Sequence, residues 1–235
     1  TNESGDIEKI SEIVGECKRM GIEVLPPDVN YSGGGFEIIE NKEDKKEEIR
    51  FGLYTIKNLG KDIADAIIAE REKNGKYKTF EEFLERVTHK NLTKKSLEAL
   101  SMCGAFDELV ERNLVINNIE DILEYHKDVI KDNSMQDSLF GNMGPSKFTF
   151  KNTTVATADQ KLKWEKELLG LYISGFPLDP WKKRIEETGM SIKKINDEIA
   201  DNIEVSLGAI IENIKITTTK KGEKMALLSV RDYTG

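Results

Sequence analysis

The order of apolar and polar residues changes character several times along the chain. Apolar residues at helical spacing predict an amphipathic helix over residues 6–20. Short apolar runs at 36–39 and 49–51, on either side of a charged stretch, predict two strands. From residue 52 to about residue 131 the apolar positions follow the helical period almost throughout. The first half is therefore predicted to be mainly helical, with a small β part near its start.

The second half has three further parts. Residues 132–156 are polar, follow neither period and contain glycine and proline, so we expect a flexible linker. Thr157 and Gln160 have the spacing of a capping box, which predicts that a helical stretch begins there. Two β-rich runs, at 205–217 and 225–230, flank a Lys-Lys-Gly-Glu turn and predict a hairpin. Together these elements predict a mainly α fold with small β parts, in the α+β class.

The composition is that of an ordinary globular protein. Of the 235 residues, 38% are hydrophobic and 33% are charged, which suits modest cores and a polar surface. No apolar run approaches the roughly 20 residues that a membrane helix needs. Cys17 and Cys103 lie far apart without ligand residues beside them, which argues against disulfides or zinc and favours the cytoplasm. The first residue is Thr1 and not Met, so we expect the chain to be cut from a longer protein.

The distribution of charge qualifies the acidic total. A net charge of −8 and a pI of about 5.1 argue against nucleic acid as a partner. Between Arg50 and Lys95, however, the sequence holds 11 basic residues against 7 acidic ones. A local excess of positive charge is what a contact with phosphate requires, so this stretch is the candidate region for binding nucleic acid.

Residues 56–67, Ile-Lys-Asn-Leu-Gly-Lys-Asp-Ile-Ala-Asp-Ala-Ile, resemble a helix-hairpin-helix motif. A left-handed conformation at Gly60 would give a tight turn between two helices. The amides that open the second helix would then face outward and accept a phosphate oxygen without reading a base. Lys57 and Lys61 flank the turn and add charge. An ordinary αα-hairpin with a glycine turn would show the same pattern.

A second copy of the spacing supports the binding hypothesis. Residues 100–104, Leu-Ser-Met-Cys-Gly, repeat the arrangement that ends at Gly60. This copy lacks a basic residue after its glycine, and Lys94 and Lys95 are expected to supply the charge instead. Two hairpins would grip both strands of a duplex. The candidate residues for contact with the DNA backbone are Lys57, Asn58, Gly60, Lys61, Lys94, Lys95 and Gly104.

A short apolar pair interrupts the predicted linker. Leu139 and Phe140 would expose apolar surface in a free polar segment, which suggests a peptide that docks into a groove. Together with Gln136 they resemble the pentapeptide by which bacterial proteins bind the sliding clamp. That resemblance implies that Leu and Phe fill a hydrophobic pocket while Gln hydrogen-bonds at its edge. The candidate clamp-binding residues are Gln136, Asp137, Ser138, Leu139 and Phe140.

The order of these parts resembles the C-terminal half of the bacterial DNA polymerase III alpha subunits, a family of replicative DNA polymerases. The resemblance covers nearly the whole chain. The segments that carry it, besides the hairpins and the clamp peptide, are 21–30, 50–53, 104–107, 164–170 and 174–180.

The resemblance implies five regions: the end of the fingers at 1–50, a tandem helix-hairpin-helix domain that binds duplex DNA at 51–131, a flexible linker with the clamp-binding motif at 132–156, a helical connector at 157–200 and the start of an OB-fold at 201–235.

The OB-fold is where the sequence departs from the family pattern. An OB-fold is a five-stranded barrel, and only its first hairpin fits before residue 235. Binding of single-stranded DNA is therefore doubtful. The implied partners are duplex DNA, the sliding clamp (the beta subunit) and the remainder of the alpha subunit, with no membrane.

Catalytic chemistry is not expected in this stretch. Nucleotide addition needs carboxylates that hold two metal ions, and the sequence has no Asp-x-Asp and no Walker-type glycine loop. His89 and His126 are too few and too far apart to predict a metal site. The resemblance implies that the parent is a DNA-directed DNA polymerase, a nucleotidyltransferase that uses Mg²⁺. We predict no catalytic residue, metal site or cofactor in this chain. The alternative is a protein–protein scaffold whose hairpins pack only against protein.

Overall fold

The structure is a computed structural model that describes residues 10, 13–17, 20–41, 46–134, 148–199, 203–219 and 222–234. The chain forms two compact units, Thr1–Ser174 and Gly175–Gly235. The helical connector predicted at 157–200 is therefore divided between the two units. The predicted α+β class is confirmed, because helices predominate and two small sheets accompany them.

A three-stranded sheet lies near the start of the first unit. Its strands are β1 (Val24–Leu25), β2 (Glu37–Glu40) and β3 (Glu47–Arg50). The central strand β3 pairs in parallel with β1 and antiparallel with β2, with Ile38 opposite Ile49. Ile10 and residues 13–17 are helical. The two predicted strands therefore form, and β1 completes the sheet.

Helices make up most of the first unit. A 3₁₀ turn at Leu53–Thr55 is followed by α1 (Lys61–Asn74), α2 (Phe80–Arg86), α3 (Lys94–Met102), α4 (Arg112–Asn117), α5 (Ile119–Ser134) and α6 (Ala158–Leu169). Local caps mark several of their starts. The capping box predicted at Thr157 and Gln160 is confirmed, and Thr93 with Ser96 forms another before α3.

Aromatic rings fill the centre of the first unit. The ring of Phe106 lies 5.1 Å from Phe80 and 4.8 Å from Phe83, in edge-to-face arrangements. Tyr77 packs on Phe83 at 5.1 Å and donates a hydrogen bond to the carbonyl of Ile67. One continuous core thus joins α1, α2 and the turn after α3.

An extended segment at 148–156 lies along α4. The side-chain amide of Asn118 donates to the carbonyl of Lys151, and its oxygen accepts from the Lys151 N–H. Asn113 donates to the carbonyl of Thr154 at 2.9 Å. Phe148 packs 5.9 Å from the ring of Tyr125 on α5. Side-chain amides therefore supply hydrogen bonds that a strand would otherwise provide.

The second unit combines short helices with a hairpin. Its elements are a 3₁₀ turn at Asp179–Trp181, α7 (Lys182–Thr188), α8 (Ile192–Glu198), β4 (Ile210–Thr218) and β5 (Lys224–Arg231). β4 and β5 pair antiparallel, with an irregularity between Ile211 and Asn213. The predicted hairpin is therefore confirmed. Among the described residues, no helix has the length and the apolar composition required to cross a membrane.

Candidate nucleic-acid interface

The first predicted hairpin turn is built differently from the expectation. Asn58 has the left-handed conformation, with φ 70°, whereas Gly60 is extended at φ −68° and ψ 147°. The prediction of a left-handed Gly60 is therefore wrong. Asparagine tolerates this conformation better than most side chains do, so the reversal is completed two residues before the glycine. The segment before the turn is a single 3₁₀ turn, Leu53–Thr55, and not an α-helix.

Gly60 instead occupies the N-cap position of α1. It has no side chain to offer, and α1 has no side-chain hydrogen bond at its cap within the described structure. The opening amides of a 14-residue helix thus face outward with the positive end of its dipole. Asp62 in the first turn offsets part of this positive potential. The arrangement can accept an anion such as a phosphate oxygen.

Buried residues hold the turn in place. Ile56 and Leu59 are buried in the core, while Lys57, Asn58 and Gly60 between and beside them are exposed. The N–H of Lys57 donates to the carbonyl of Leu168, 3.0 Å away at the end of α6. The turn is therefore fixed to a helix that lies more than a hundred residues later in the sequence.

Lys61 is exposed, and an aromatic ring orients it. Its ammonium lies 5.2 Å from the ring centroid of Tyr54, whose hydroxyl donates a hydrogen bond to Asp65. That hydrogen bond raises the pKa of Tyr54 above its usual value. No carboxylate of the described residues forms an ion pair with Lys57 or Lys61. A ring contact places the cation without neutralising it, so its charge remains available to a phosphate.

The second predicted turn differs from the first in both conformation and environment. Gly104 is left-handed, with φ 86°. It is buried, and its N–H donates to the carbonyl of Ser101 at 3.1 Å. A Cβ added there would overlap the guanidinium of Arg112. The prediction that the Gly104 amide meets DNA does not fit this geometry, because the group is enclosed and already bonded.

The helix after the second turn also begins differently. α4 starts at Arg112, several residues beyond Gly104, and Glu111 caps it by accepting from the N–H of Leu114. The other oxygen of Glu111 accepts from the N–H of Ala156. A glutamate side chain thus caps the start of α4, whereas no side chain caps the start of α1. The residues of the second copy therefore serve packing within the first unit.

Lys94 and Lys95 open α3, which the box of Thr93 and Ser96 already caps. Both lysines are exposed, and Lys94 forms an ion pair of 2.6 Å with Glu120. This hydrogen-bonded partner raises the pKa of Lys94. Lys95 has no ion pair among the described residues. Of the two, Lys95 is the one whose charge is not already matched.

A contact between distant segments places the loop before α3 beside the start of α1. The side-chain amide of Asn91 lies 3.4 Å from the carboxylate of Asp62 in the first turn of α1. The loop before α3 therefore lies beside the first turn of α1, and Lys95 follows Asn91 four positions later in the sequence. This role of Asn91 was not predicted, because no local pattern of the sequence around it indicates the contact.

The predicted clamp-binding residues, Gln136–Phe140, lie outside the described residues. The described chain before them ends with Ser134 at the end of α5, and it resumes at Phe148. Phe148 packs near Tyr125 of the same helix. Both flanks of the predicted motif are therefore attached to α5.

The described residues contain no group of three or more His, Cys, Asp or Glu side chains that could hold a metal ion. His126 is buried, and its Nδ1 lies 3.0 Å from the carbonyl of Leu84. Burial lowers its pKa. His89 accepts a hydrogen bond from the N–H of Asn91 through its Nδ1. Each histidine thus has a backbone group of the protein beside its Nδ1 atom.

Comparison with known proteins gives the family. Residues 21–114 match the model of a helix-hairpin-helix motif. Over its full length the chain is 37% identical to the DNA polymerase III subunit alpha of Borreliella burgdorferi, and it covers 21% of that protein. The corresponding values are 34% identity and 18% coverage for Deinococcus radiodurans, and 31% and 20% for Haemophilus influenzae, each along the whole chain. The chain thus spans about a fifth of the length of the curated relatives it matches. As the sequence resemblance predicted, it belongs to the DNA polymerase III alpha-subunit family.

Proposed function

We propose that this chain holds duplex DNA by its phosphate backbone, within a polymerase, and that it does so without reading sequence. The observation that carries the proposal is the open N-terminus of α1, with exposed Lys57 and Lys61 on either side of its turn. Backbone amides and lysines recognise phosphate oxygens, which are the same at every base pair. The helix-hairpin-helix match and the family of the relatives support this function.

The two hairpins have unequal parts in this proposal. The first carries the contact surface, formed by Lys57, Asn58, Gly60 and Lys61, with Lys95 at its side. The second supports that surface through its buried turn at Gly104. One open helix end and a few lysines give weak binding, which suits a polymerase that must move along its template.

We propose further that the segment Gln136–Phe140 binds the sliding clamp. The support is the sequence pattern, an apolar pair after glutamine in a polar stretch. Nucleotide addition, with its Mg²⁺ ions, would then belong to other parts of the longer polymerase.

A salt titration with duplex DNA tests the proposed grip. Log affinity is expected to fall with log salt by roughly 0.9 per phosphate neutralised. Lys57→Glu with Lys61→Glu should weaken all duplex sequences alike. The matched control is Lys78→Glu with Lys127→Glu, which changes the charge equally at exposed lysines elsewhere in the first unit.

Equal binding by both double variants would remove the first hairpin from the mechanism. The scaffold alternative, in which the hairpins contact only protein, would then be the better account. A strong preference for one duplex sequence would also contradict contact with the backbone alone.

A further inference from the structure

An acidic residue of α1 has the spacing that would neutralise Lys61. Asp65 follows Lys61 by four positions on this helix, and side chains of opposite charge at that spacing meet on one face. Both side chains are exposed. Within the described part of the chain, however, no ion pair joins them. The carboxylate of Asp65 instead accepts a hydrogen bond from the hydroxyl of Tyr54.

Tyr54 contacts both of these charged residues. Its ring centroid lies 5.2 Å from Nζ of Lys61, while its hydroxyl binds Asp65. The face of the ring attracts the cation without cancelling its charge, and the hydroxyl occupies an oxygen of the carboxylate. The hydrogen bond to Asp65 raises the pKa of Tyr54. The hydroxyl therefore remains a donor throughout the neutral pH range.

The backbone of a glycine-rich loop holds the tyrosine in place. The N–H of Tyr54 donates to the carbonyl of Gly34 at 2.9 Å, and the N–H of Leu53 donates to the carbonyl of Gly33 at 2.9 Å. A Cβ added to Gly34 would overlap the ring of Tyr54. Glycine at this position thus lets the loop pack directly against the ring.

We propose that Tyr54 is a positioning residue, which keeps Asp65 from neutralising Lys61. The inference rests on the proposed grip on duplex DNA, in which the charge of Lys61 must be available to a phosphate. The ring holds the ammonium and the hydroxyl holds the carboxylate, so the two charges stay apart on the same helix face. Without the hydroxyl, Asp65 is free to pair with Lys61 across one helical turn.

Tyr54→Phe removes the hydroxyl and keeps the ring. Because Asp65 is released, the affinity for a labelled duplex at low salt is expected to fall about twofold, the effect of one exposed ion pair between adjacent helical turns. Gly34→Ala should also lower affinity, because its Cβ displaces the ring. The matched control is Tyr125→Phe, which removes another tyrosine hydrogen bond to a carboxylate, that of Glu85 at 2.8 Å. Circular dichroism checks that each variant is folded.

Neutralisation of Asp65 gives the decisive comparison. Asp65→Asn should raise duplex affinity slightly in the unchanged chain, because it removes an anion near the bound phosphate. It should raise affinity more in the Tyr54→Phe background, because there it also frees Lys61. A double-mutant cycle measures the difference between the two gains. In a Lys61→Gln background, Tyr54→Phe should leave duplex affinity unchanged. A purely structural role of Tyr54 would give equal gains and equal losses in all backgrounds.

NMR of the free chain tests the same arrangement without DNA. The ring current of Tyr54 should move the resonances of the methylene protons beside the Lys61 ammonium upfield. Tyr54→Phe should reduce this shift, because the lysine side chain turns toward Asp65. Asp65→Asn in the same background should restore it, since the ring is then the remaining contact.

The outcomes separate this inference from the grip on which it rests. Unchanged duplex affinity in folded Tyr54→Phe, together with a loss in Lys57→Glu, Lys61→Glu, would overturn the role of Tyr54 and leave the grip standing. Equal gains from Asp65→Asn in both backgrounds would overturn it as well. If the double lysine variant binds duplex as its control does, the grip fails. The NMR shift then decides alone, and a shift that Tyr54→Phe leaves unchanged would overturn the inference.

Discussion

The guanidinium of Arg112 lies 3.3 Å from the carboxylate of Glu165, in an ion pair that the first unit buries almost completely. The side chains are 3% and 0% exposed, and they join α4 to α6 across 53 positions of sequence. Arg112 also binds Asp107 at 2.8 Å, in the turn that follows Gly104. The second oxygen of Glu165 accepts from the N–H groups of Ile173 and Ser174. One buried pair thus fixes the second hairpin turn and the end of the first unit.

Replacement of one member of this pair should lower the free energy of unfolding more than replacement of both. Arg112→Met leaves a buried carboxylate without its cation, which is expected to cost about 3–5 kcal/mol of unfolding free energy. Arg112→Met with Glu165→Met replaces both charges by apolar groups and should lose less than the single change. Urea unfolding measures each difference. Glu167→Met, at an exposed position of α6, is the control. A double variant that is less stable than Arg112→Met would contradict this view of the pair.

Alanine should destabilise the protein at Gly104 but have little effect at Gly60. Gly104 has φ 86° and a Cβ there would overlap Arg112, so Gly104→Ala is expected to cost at least about 1 kcal/mol. Gly60 has φ −68° and no atom of the described residues within 4 Å of an added Cβ. Gly60→Ala should therefore change stability by less than about 0.5 kcal/mol. Thermal unfolding of both variants makes the comparison, and equal losses would contradict it.

The left-handed residue of the first turn gives an independent test. Asn58 has φ 70°, which favours glycine and disfavours alanine. Asn58→Gly is expected to keep stability, whereas Asn58→Ala should lose about 1 kcal/mol. The same contrast should appear in duplex affinity, because a misdirected turn also misplaces Lys57 and the amides of α1. A stable Asn58→Ala protein would show that the turn adopts another conformation in solution.

Short-range patterns account for what the sequence predicted well. The box of Thr157 and Gln160 and the hairpin of β4 and β5 depend on neighbouring residues, so their spacing was sufficient. Gly60 was misassigned because glycine permits a left-handed conformation without requiring it. The contact of Asn91 with Asp62 depends on how distant helices pack, which no local spacing encodes.

Acidification should destabilise the first unit through His126. Burial lowers the pKa of this histidine in the fold, so the unfolded chain binds its proton more readily. The neutral ring contributes its full stability above the unfolded pKa of about 6.5, and that contribution is lost as pH falls below it. Urea unfolding between neutral and mildly acidic pH should show a shallower decline for His126→Gln than for the unchanged chain. Identical slopes would show that His126 is protonated in the fold without penalty.

The proposed clamp contact should concentrate in two side chains. Leu139 and Phe140 are an apolar pair in a polar segment, and short peptide ligands obtain most of their affinity from few buried anchors. Leu139→Ala with Phe140→Ala is expected to abolish measurable binding of the chain to purified clamp in calorimetry. The matched control is Asp137→Ala with Ser138→Ala, which shortens two side chains that we expect to face solvent.

Dissociation from a clamp-loaded duplex tests whether the clamp contact and the duplex grip act together. A peptide on the ring and a helix end on the DNA act together at high effective concentration, so one contact retains the DNA while the other releases it. On a clamp-loaded duplex, the Leu139, Phe140 double variant should therefore dissociate faster than the unchanged chain, even though its affinity for bare duplex is the same. If it binds the clamp as well as the unchanged chain does, the clamp site lies elsewhere. A loss equal to that of the Asp137, Ser138 control would instead point to a general effect of truncating side chains in this segment.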